Sequence, residues 1–106
     1  MNQVLQPGDT NGAVINLTLT NANAEYSATL PQGCLHFSFQ CRTSYDVRFA
    51  FVTGKVAGPS APYVTLKADK AFSSPEKLSL KHDRNVIYFA SSQAGVVVEI
   101  VPWVVD

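Results

Sequence analysis

The chain has 106 residues, of which 8 are basic and 8 are acidic, so its formal net charge at pH 7 is zero. This length fits a single domain. Binding to nucleic acid or to an anionic membrane depends on an excess of Lys and Arg, so the charge balance argues against both partners. Only 15% of the residues are charged, against about 25% in typical soluble domains, and a weakly charged surface favours association with other protein surfaces.

The first twelve residues are polar and predict an N-terminal arm, residues 1–12, ahead of one folded domain, residues 13–106. The arm carries the turn signals Pro7-Gly8-Asp9 and Asn11-Gly12 and has room for one short strand at Asn2–Gln6. It lacks the basic and apolar segments of a secretory signal, and no apolar run in the chain approaches the ~18 residues that span a bilayer. We therefore expect a protein that stays in the cytoplasm where it is made, or that assembles there into something larger.

Beyond the arm, apolar and polar residues alternate with a period of two, which is typical of half-buried β-strands. The pattern predicts an all-β fold, an antiparallel β-sandwich of jelly-roll or similar Greek-key type, with about eight strands, or nine with the arm. The predicted strands are Ala13–Thr20, Glu25–Leu30, Cys34–Cys41, Tyr45–Val52, Tyr63–Lys67, Lys77–His82, Val86–Ala90 and Val96–Val104.

Two predicted strands, Cys34–Cys41 and Tyr45–Val52, concentrate aromatic residues on their inward faces. They flank a short turn, so we expect them to form a hairpin at the centre of the core. Cys34 and Cys41 lie seven residues apart in one of these strands, about 23 Å at the rise of a strand. That distance is too long for a disulfide, so we expect free thiols and a reducing compartment.

The candidates for chemistry do not assemble into a site in the sequence. Cys34 and His36 share a strand face and provide two metal ligands, but no third ligand is placed to complete a site. Ser38 flanks His36 on that face without a carboxylate to orient the imidazole. His82 and Asp83 are neighbours in a strand and so point to opposite faces. We therefore predict no enzymatic activity, no metal and no cofactor.

The last two predicted strands break the alternation, because both of their faces are apolar. A solitary sandwich buries only one face of each strand, so a second cover is needed. That cover is either another subunit or, alternatively, a loop or the N-terminal arm of the same chain. Pro102 lacks an N–H group, which favours an edge position or a bulge for its strand. Our prediction is an interface with another subunit, and its candidate residues are Ile87, Phe89, Val97, Val101 and Trp103.

Four segments of the C-terminal two thirds carry a further pattern: Asp46–Ala50, Gly54–Ala68, Val86–Ala90 and Ala94–Trp103. A strand ending in Tyr-Phe-Ala is followed by a turn of small residues and by a Gly-Val-Val-rich strand that ends near a Trp. Over residues 33–106 this pattern resembles small virion structural proteins of tailed bacteriophages.

The resemblance implies a β-sandwich subunit, usually homo-oligomeric, without catalytic residues. Because the chain has no long shaft or coiled-coil tract, a capsid decoration (cement) protein is favoured over a fibre. We then expect a homo-oligomer, with a trimer favoured, that is assembled in the host cytoplasm and binds the major capsid protein in the virion. It would stabilise the shell by non-covalent contacts, with the N-terminal arm clasping a neighbour. The alternative is a glycan-binding or receptor-binding module of a tail or fibre, with Tyr63 and Trp103 as a platform for a sugar ring.

Overall fold

The computed structural model describes residues 5–7, 14–30, 34–60, 62–74 and 86–105. Within these ranges the chain forms nine β-strands and no helix, and accordingly no helix that is long and apolar enough to cross a membrane. The strands are β1 (Leu5–Pro7), β2 (Ile15–Leu19), β3 (Tyr26–Thr29), β4 (Cys34–Cys41), β5 (Val47–Ala50), β6 (Val64–Leu66), β7 (Ala71–Ser73), β8 (Val86–Ala90) and β9 (Val96–Val105).

The strands form two antiparallel sheets whose inner faces share one core. The five-stranded sheet has the order β1-β9-β4-β7, and β2 pairs with β9 as well. The four-stranded sheet has the order β3-β8-β5-β6. The pairs β2·β9, β3·β8, β4·β7 and β5·β6 are those of a long antiparallel hairpin rolled into two sheets, which is the jelly roll. The predicted all-β sandwich of jelly-roll type is therefore confirmed.

The period-two pattern of the sequence assigns most inward faces correctly. In β4, Phe37 and Phe39 are buried, whereas His36 and Ser38, which alternate with them, are only partly buried. The same alternation holds in the other central strands, because each residue of a strand points to the opposite side from its neighbour. The core residues contributed by the strands are Leu19, Ala28, Phe37, Phe39, Val47, Phe49, Ile87, Phe89, Val96, Val98 and Ile100.

All six phenylalanines of the chain pack into one aromatic cluster. Phe39 on β4 packs edge-on against Phe49 on β5 and Phe89 on β8, with ring centroids 4.8 and 5.1 Å apart. Phe72 on β7 lies 5.0 Å from Phe49, and Phe51, just after β5, lies 6.2 Å from it. Because the rings come from both sheets, this cluster ties the two layers of the sandwich together.

The hairpin that we predicted for Cys34–Cys41 and Tyr45–Val52 is wrong. Strand β4 belongs to the five-stranded sheet and β5 to the four-stranded sheet, so the two strands do not pair. The intervening residues carry the chain across the sandwich, and Phe39 of β4 meets Phe49 of β5 edge-on between the layers. The expected aromatic centre of the core is present, but it arises from packing between sheets.

The environment of Pro102 differs from the predicted edge. Strand β9 is central: it pairs with β4 on one side and with both β1 and β2 on the other. On that second side β2 pairs with Val96–Ile100 and β1 with Trp103–Val105. Pro102 lies between these two stretches, so its missing N–H interrupts neither of them. The pairing with β4 also shifts register beside it, between Cys34 and His36.

Three further differences concern individual strands. Ala71–Ser73, which lies in none of the predicted strands, forms β7 at the edge of the five-stranded sheet. Three residues are too few for a period to be recognised. The predicted strand Lys77–His82 lies outside the described residues. In the arm, the strand expected at Asn2–Gln6 is observed at Leu5–Pro7, and it pairs with β9 of its own chain.

Candidate functional site

The five residues predicted for a subunit interface separate into two groups. Ile87 and Phe89 are 1% and 0% exposed within the single chain, so they cannot contact a partner, and the prediction is wrong for both. They occupy the inward face of β8, which the core needs for itself. Val97, Val101 and Trp103 lie on the outer face of β9 and are partly buried, so they stay available to a partner.

The outer face of β8 is covered by the chain's own loop, residues 51–60. Val56 of that loop is fully buried and packs in a small second core with Ala50 and Ala90. Tyr88, on the same outer face of β8, packs against this group. The cover within the chain, which we considered as an alternative to a subunit interface, therefore accounts for Tyr88 and Ala90 on the outer face of β8.

Arg48 holds this loop in place from the outer face of β5. Its Nε donates a hydrogen bond of 2.7 Å to the carbonyl oxygen of Val56, and its Nη2 donates to the carbonyl oxygen of Ala57 at 3.4 Å. The same Nη2 donates to Oδ1 of Asn23 at 2.8 Å. Arg48 is thus bonded to backbone that follows it in the chain by eight and nine residues.

A second contact fixes the tip of the loop. Both carboxylate oxygens of Glu25 accept hydrogen bonds from it, one from the hydroxyl of Thr53 at 2.6 Å and one from the backbone N–H of Gly54 at 2.8 Å. Gly54 has a φ of +88°, a conformation that residues with a Cβ rarely adopt. The loop is thus tied to the four-stranded sheet at both its tip and its middle.

Four of the six large apolar side chains that are exposed in the described residues lie where the four-stranded sheet ends, beside β6. They line an apolar cleft of about 200 Å³, which we call the edge groove. Its walls are Phe51, Val52, Tyr63 and Val64, with exposed fractions of 50, 58, 36 and 51%. The groove is the point at which the aromatic cluster reaches the surface, because Phe51 contacts Phe49 in its floor.

The edge groove was not predicted, although its residues follow the alternating pattern of the sequence. By that alternation Phe51 and Val64 belong to the inward face, and Val64 stands opposite the buried Phe49 in the β5·β6 register. Strand β6 is the last strand of its sheet, however. An inward-facing residue there has a neighbouring strand on one side only, so it stays exposed. The signal available in the sequence was the brevity of the apolar segment between Pro62 and Lys67.

A different surface lies on the outer face of the five-stranded sheet. It contains a cleft of about 380 Å³, which we call the outer-sheet groove. The residues that line this groove include Val14, Ser38, Gln40, Ala71, Glu99 and Val101. In the strand registers Glu99 stands opposite Asn16 on one side and Gln40 on the other, and Gln40 stands opposite Ala71. The groove therefore follows a row of residues that crosses four strands.

Glu99 lines this groove and holds two polar side chains, Gln40 in the lining and Arg42 beside it. Its Oε1 accepts a hydrogen bond from Nε2 of Gln40 at 3.1 Å, and its Oε2 accepts one from Nε of Arg42 at 2.9 Å. The hydrogen bonds from Gln40 and then from Arg42 hold the pKa of Glu99 below its ordinary value. The carboxylate is thus ionised at neutral pH and forms a neutral pair with the guanidinium.

The predicted chemistry of the β4 face is altered by the fold. The pairing of β4 with β9 shifts register between Cys34 and His36. His36 Nδ1 lies 3.2 Å from the hydroxyl of Ser74, rather than beside a second metal ligand. Within the described ranges no group of three His, Cys, Asp or Glu side chains is placed to hold a metal. Cys41 is a free thiol, as we predicted.

The aromatic platform suggested for a sugar is not formed. Tyr63 precedes β6 of the four-stranded sheet and lines the edge groove. Trp103 belongs to β9 of the five-stranded sheet. Because the two rings are attached to different sheets, they do not present one surface to a ligand.

Comparison of the chain with family models, with curated proteins and with solved structures finds no match in any of the three.

Proposed function

We propose that this protein is a structural subunit, a capsid decoration protein, that associates with copies of itself through the edge groove and with the major capsid protein of a virion. The edge groove carries the proposal: four large apolar side chains beside a sheet edge are each at least 36% exposed. Exposed apolar patches of this kind are typical of protein interaction sites. The sequence resemblance to tailed-phage virion proteins supports the choice of a capsid as the setting.

The size of the groove indicates how strong this association is. Fully burying one large apolar side chain contributes about 1.5–3 kcal/mol. Four side chains that are roughly half exposed then contribute about 3–6 kcal/mol together, against a cost of association of ~4–15 kcal/mol. Free subunits should therefore associate weakly. Copies held close together on a shell would associate well, because their effective concentration is high.

Two valines of equal chemistry and similar exposure allow a matched test. Val52 in the edge groove is 58% exposed, and Val14 in the outer-sheet groove is 54% exposed. We expect the wild type to associate as its concentration rises in sedimentation velocity. Val52→Asp should remain monomeric because it brings a charge into an apolar contact, and Val14→Asp should behave as the wild type. Circular dichroism checks that all three proteins are folded.

Two results would contradict the assignment of the surface. One is a wild type that stays monomeric at every concentration, and the other is equal behaviour of Val52→Asp and Val14→Asp. Trp103→Asp tests the outer face of β9 as the competing interface. If it abolishes association while Val52→Asp does not, the interface lies on the outer face of β9.

The setting in a virion needs its own experiment. Virus particles banded by density from cells that carry the gene should contain peptides of this chain by mass spectrometry, in many copies per particle. Particles carrying Val52→Asp should retain less of the chain after heating than particles carrying Val14→Asp. Recovery of the chain only in the soluble fraction would overturn the proposal of a decoration protein.

A further inference from the structure

We propose that the outer-sheet groove binds a neutral saccharide. This function goes beyond association through the edge groove and uses the other sheet of the sandwich. The cleft, at about 380 Å³, lies within the range of small-ligand sites, ~300–1,000 Å³. Its lining combines polar side chains on two strands with apolar ones beside them, and it is open enough to admit a ring from the solvent side.

The polar groups in the groove and Arg42 at its border are held in fixed positions before any ligand binds. Glu99 uses both carboxylate oxygens to hold Gln40 and Arg42. Gln40 therefore keeps its Oε1 as an acceptor, and Arg42 keeps its two Nη groups as donors, with no further partner in the described part of the chain. The hydroxyl of Ser38 adds a group that both donates and accepts. Such a set suits a ligand whose hydroxyls also do both.

The charges of the groove select a neutral ligand. Arg42 and Glu99 form an ion pair with a distance of 2.9 Å, so their charges cancel locally. An anion that approached the guanidinium would be repelled by the neighbouring carboxylate. A cation that approached the carboxylate would be repelled by the guanidinium. A polyanion such as single-stranded nucleic acid has no basic track to follow on a chain with zero net charge.

The apolar residues of the groove suit the C–H face of a sugar ring. Val101, Ala71 and Val14 border the polar row, and the C–H face of a sugar ring packs on such a surface while its hydroxyls reach the polar side chains. A peptide strand is disfavoured, since backbone groups in the middle of a sheet are already paired and offer no ladder for it. A saccharide is the ligand that meets both halves.

The test is a titration followed by 1H–15N NMR of the full chain, with maltose, cellobiose, lactose and chitobiose as probes. We expect at least one disaccharide to produce saturable shifts of the Gln40 Nε2 and Arg42 Nε signals. Gln40→Ala should weaken that binding about tenfold, which corresponds to about 1.4 kcal/mol. Glu99→Gln should weaken it similarly and also shift the Arg42 Nε signal without ligand, because Glu99 acts by positioning Arg42. Val52→Asp, in the edge groove, should bind as the wild type.

The proposal is overturned if none of the four disaccharides gives saturable shifts at these side chains. It is equally overturned if binding occurs but neither Gln40→Ala nor Glu99→Gln weakens it, since the sugar would then lie elsewhere. Displacement of a bound sugar by inorganic phosphate would also contradict it, because the groove would then be an anion site. None of these results bears on the edge groove, which the sedimentation experiment tests separately.

Discussion

The outer faces of the two sheets differ in how far the chain itself covers them. On the four-stranded sheet the loop of residues 51–60 packs on the outer face of β5 and β8, and its Val56 is fully buried there. On the five-stranded sheet the outer face of β4 and β9 carries a groove whose polar row is centred on Glu99. The first face is partly covered by a loop of the chain itself, and the second carries a groove that is open to solvent.

This difference shows why an apolar strand face is not by itself an interface. The outer face of β8 consists of the apolar residues Val86, Tyr88 and Ala90. Arg48 on the neighbouring strand β5 bonds to the loop that covers part of this face. The surplus on β9 alternates with Glu99 and faces polar residues of β2 and β4, so partial exposure is tolerated. Neighbouring strands thus decide whether an apolar face is sealed, left open or available to a partner.

The largest effect should come from a matched pair of arginines. Arg48→Ala removes three hydrogen bonds from a charged donor to loop residues and Asn23, and bonds of that kind contribute about 1.5–3 kcal/mol each when buried. We expect a loss of about 3 kcal/mol in the free energy of unfolding, measured by urea denaturation. Arg42→Ala on the open face should cost much less, because its side chain is 51% exposed. Equal losses would show that loop 51–60 is not held by Arg48.

A smaller difference in stability is expected between two valine variants, one in loop 51–60 and one on the outer face of β9. Val56→Thr keeps the shape of the side chain but places a hydroxyl in the fully buried second core. An unsatisfied buried hydroxyl costs about 1–3 kcal/mol. Val97→Thr, on the partly exposed face of β9, should change stability by less than about 0.5 kcal/mol. If Val97→Thr proves as costly as Val56→Thr in thermal or urea unfolding, the outer face of β9 is sealed rather than open.

The smallest effect concerns pH and the open face. The pKa of Glu99 in the folded chain lies below its ordinary value of 4.5, so folding favours the ionised carboxylate. Its contribution to stability is present above the ordinary pKa and is lost as the pH falls through the folded pKa. The difference in unfolding free energy between wild type and Glu99→Gln should therefore shrink as the pH is lowered below 4.5. A difference that stays constant from neutral to acidic pH would mean that Glu99 does not hold Gln40 and Arg42.

Much of the sandwich could be predicted from local pattern, and most of the surfaces could not. The buried faces of β2, β3 and β4 follow from alternation, and the central role of the phenylalanines follows from their number in two strands. Ile87 and Phe89 were misassigned because a strand with two apolar faces does not say which face the core takes. Phe51 and Val64 were assigned to the right face, but their exposure depends on β6 being the last strand of its sheet.

The sequence by itself determined the all-β class, the inward residues of the long strands and the aromatic core, because alternation between the two sides of a strand is a local property of the chain. Only the tertiary structure decided that β4 and β5 lie in different sheets, that loop 51–60 covers β8, and that the exposed apolar residues meet beside β6. These features depend on contacts between residues far apart in the chain, such as Arg48 with Asn23 and Glu99 with Gln40. A periodic pattern carries no information about such distant partners, and they set the surfaces on which both proposed functions depend.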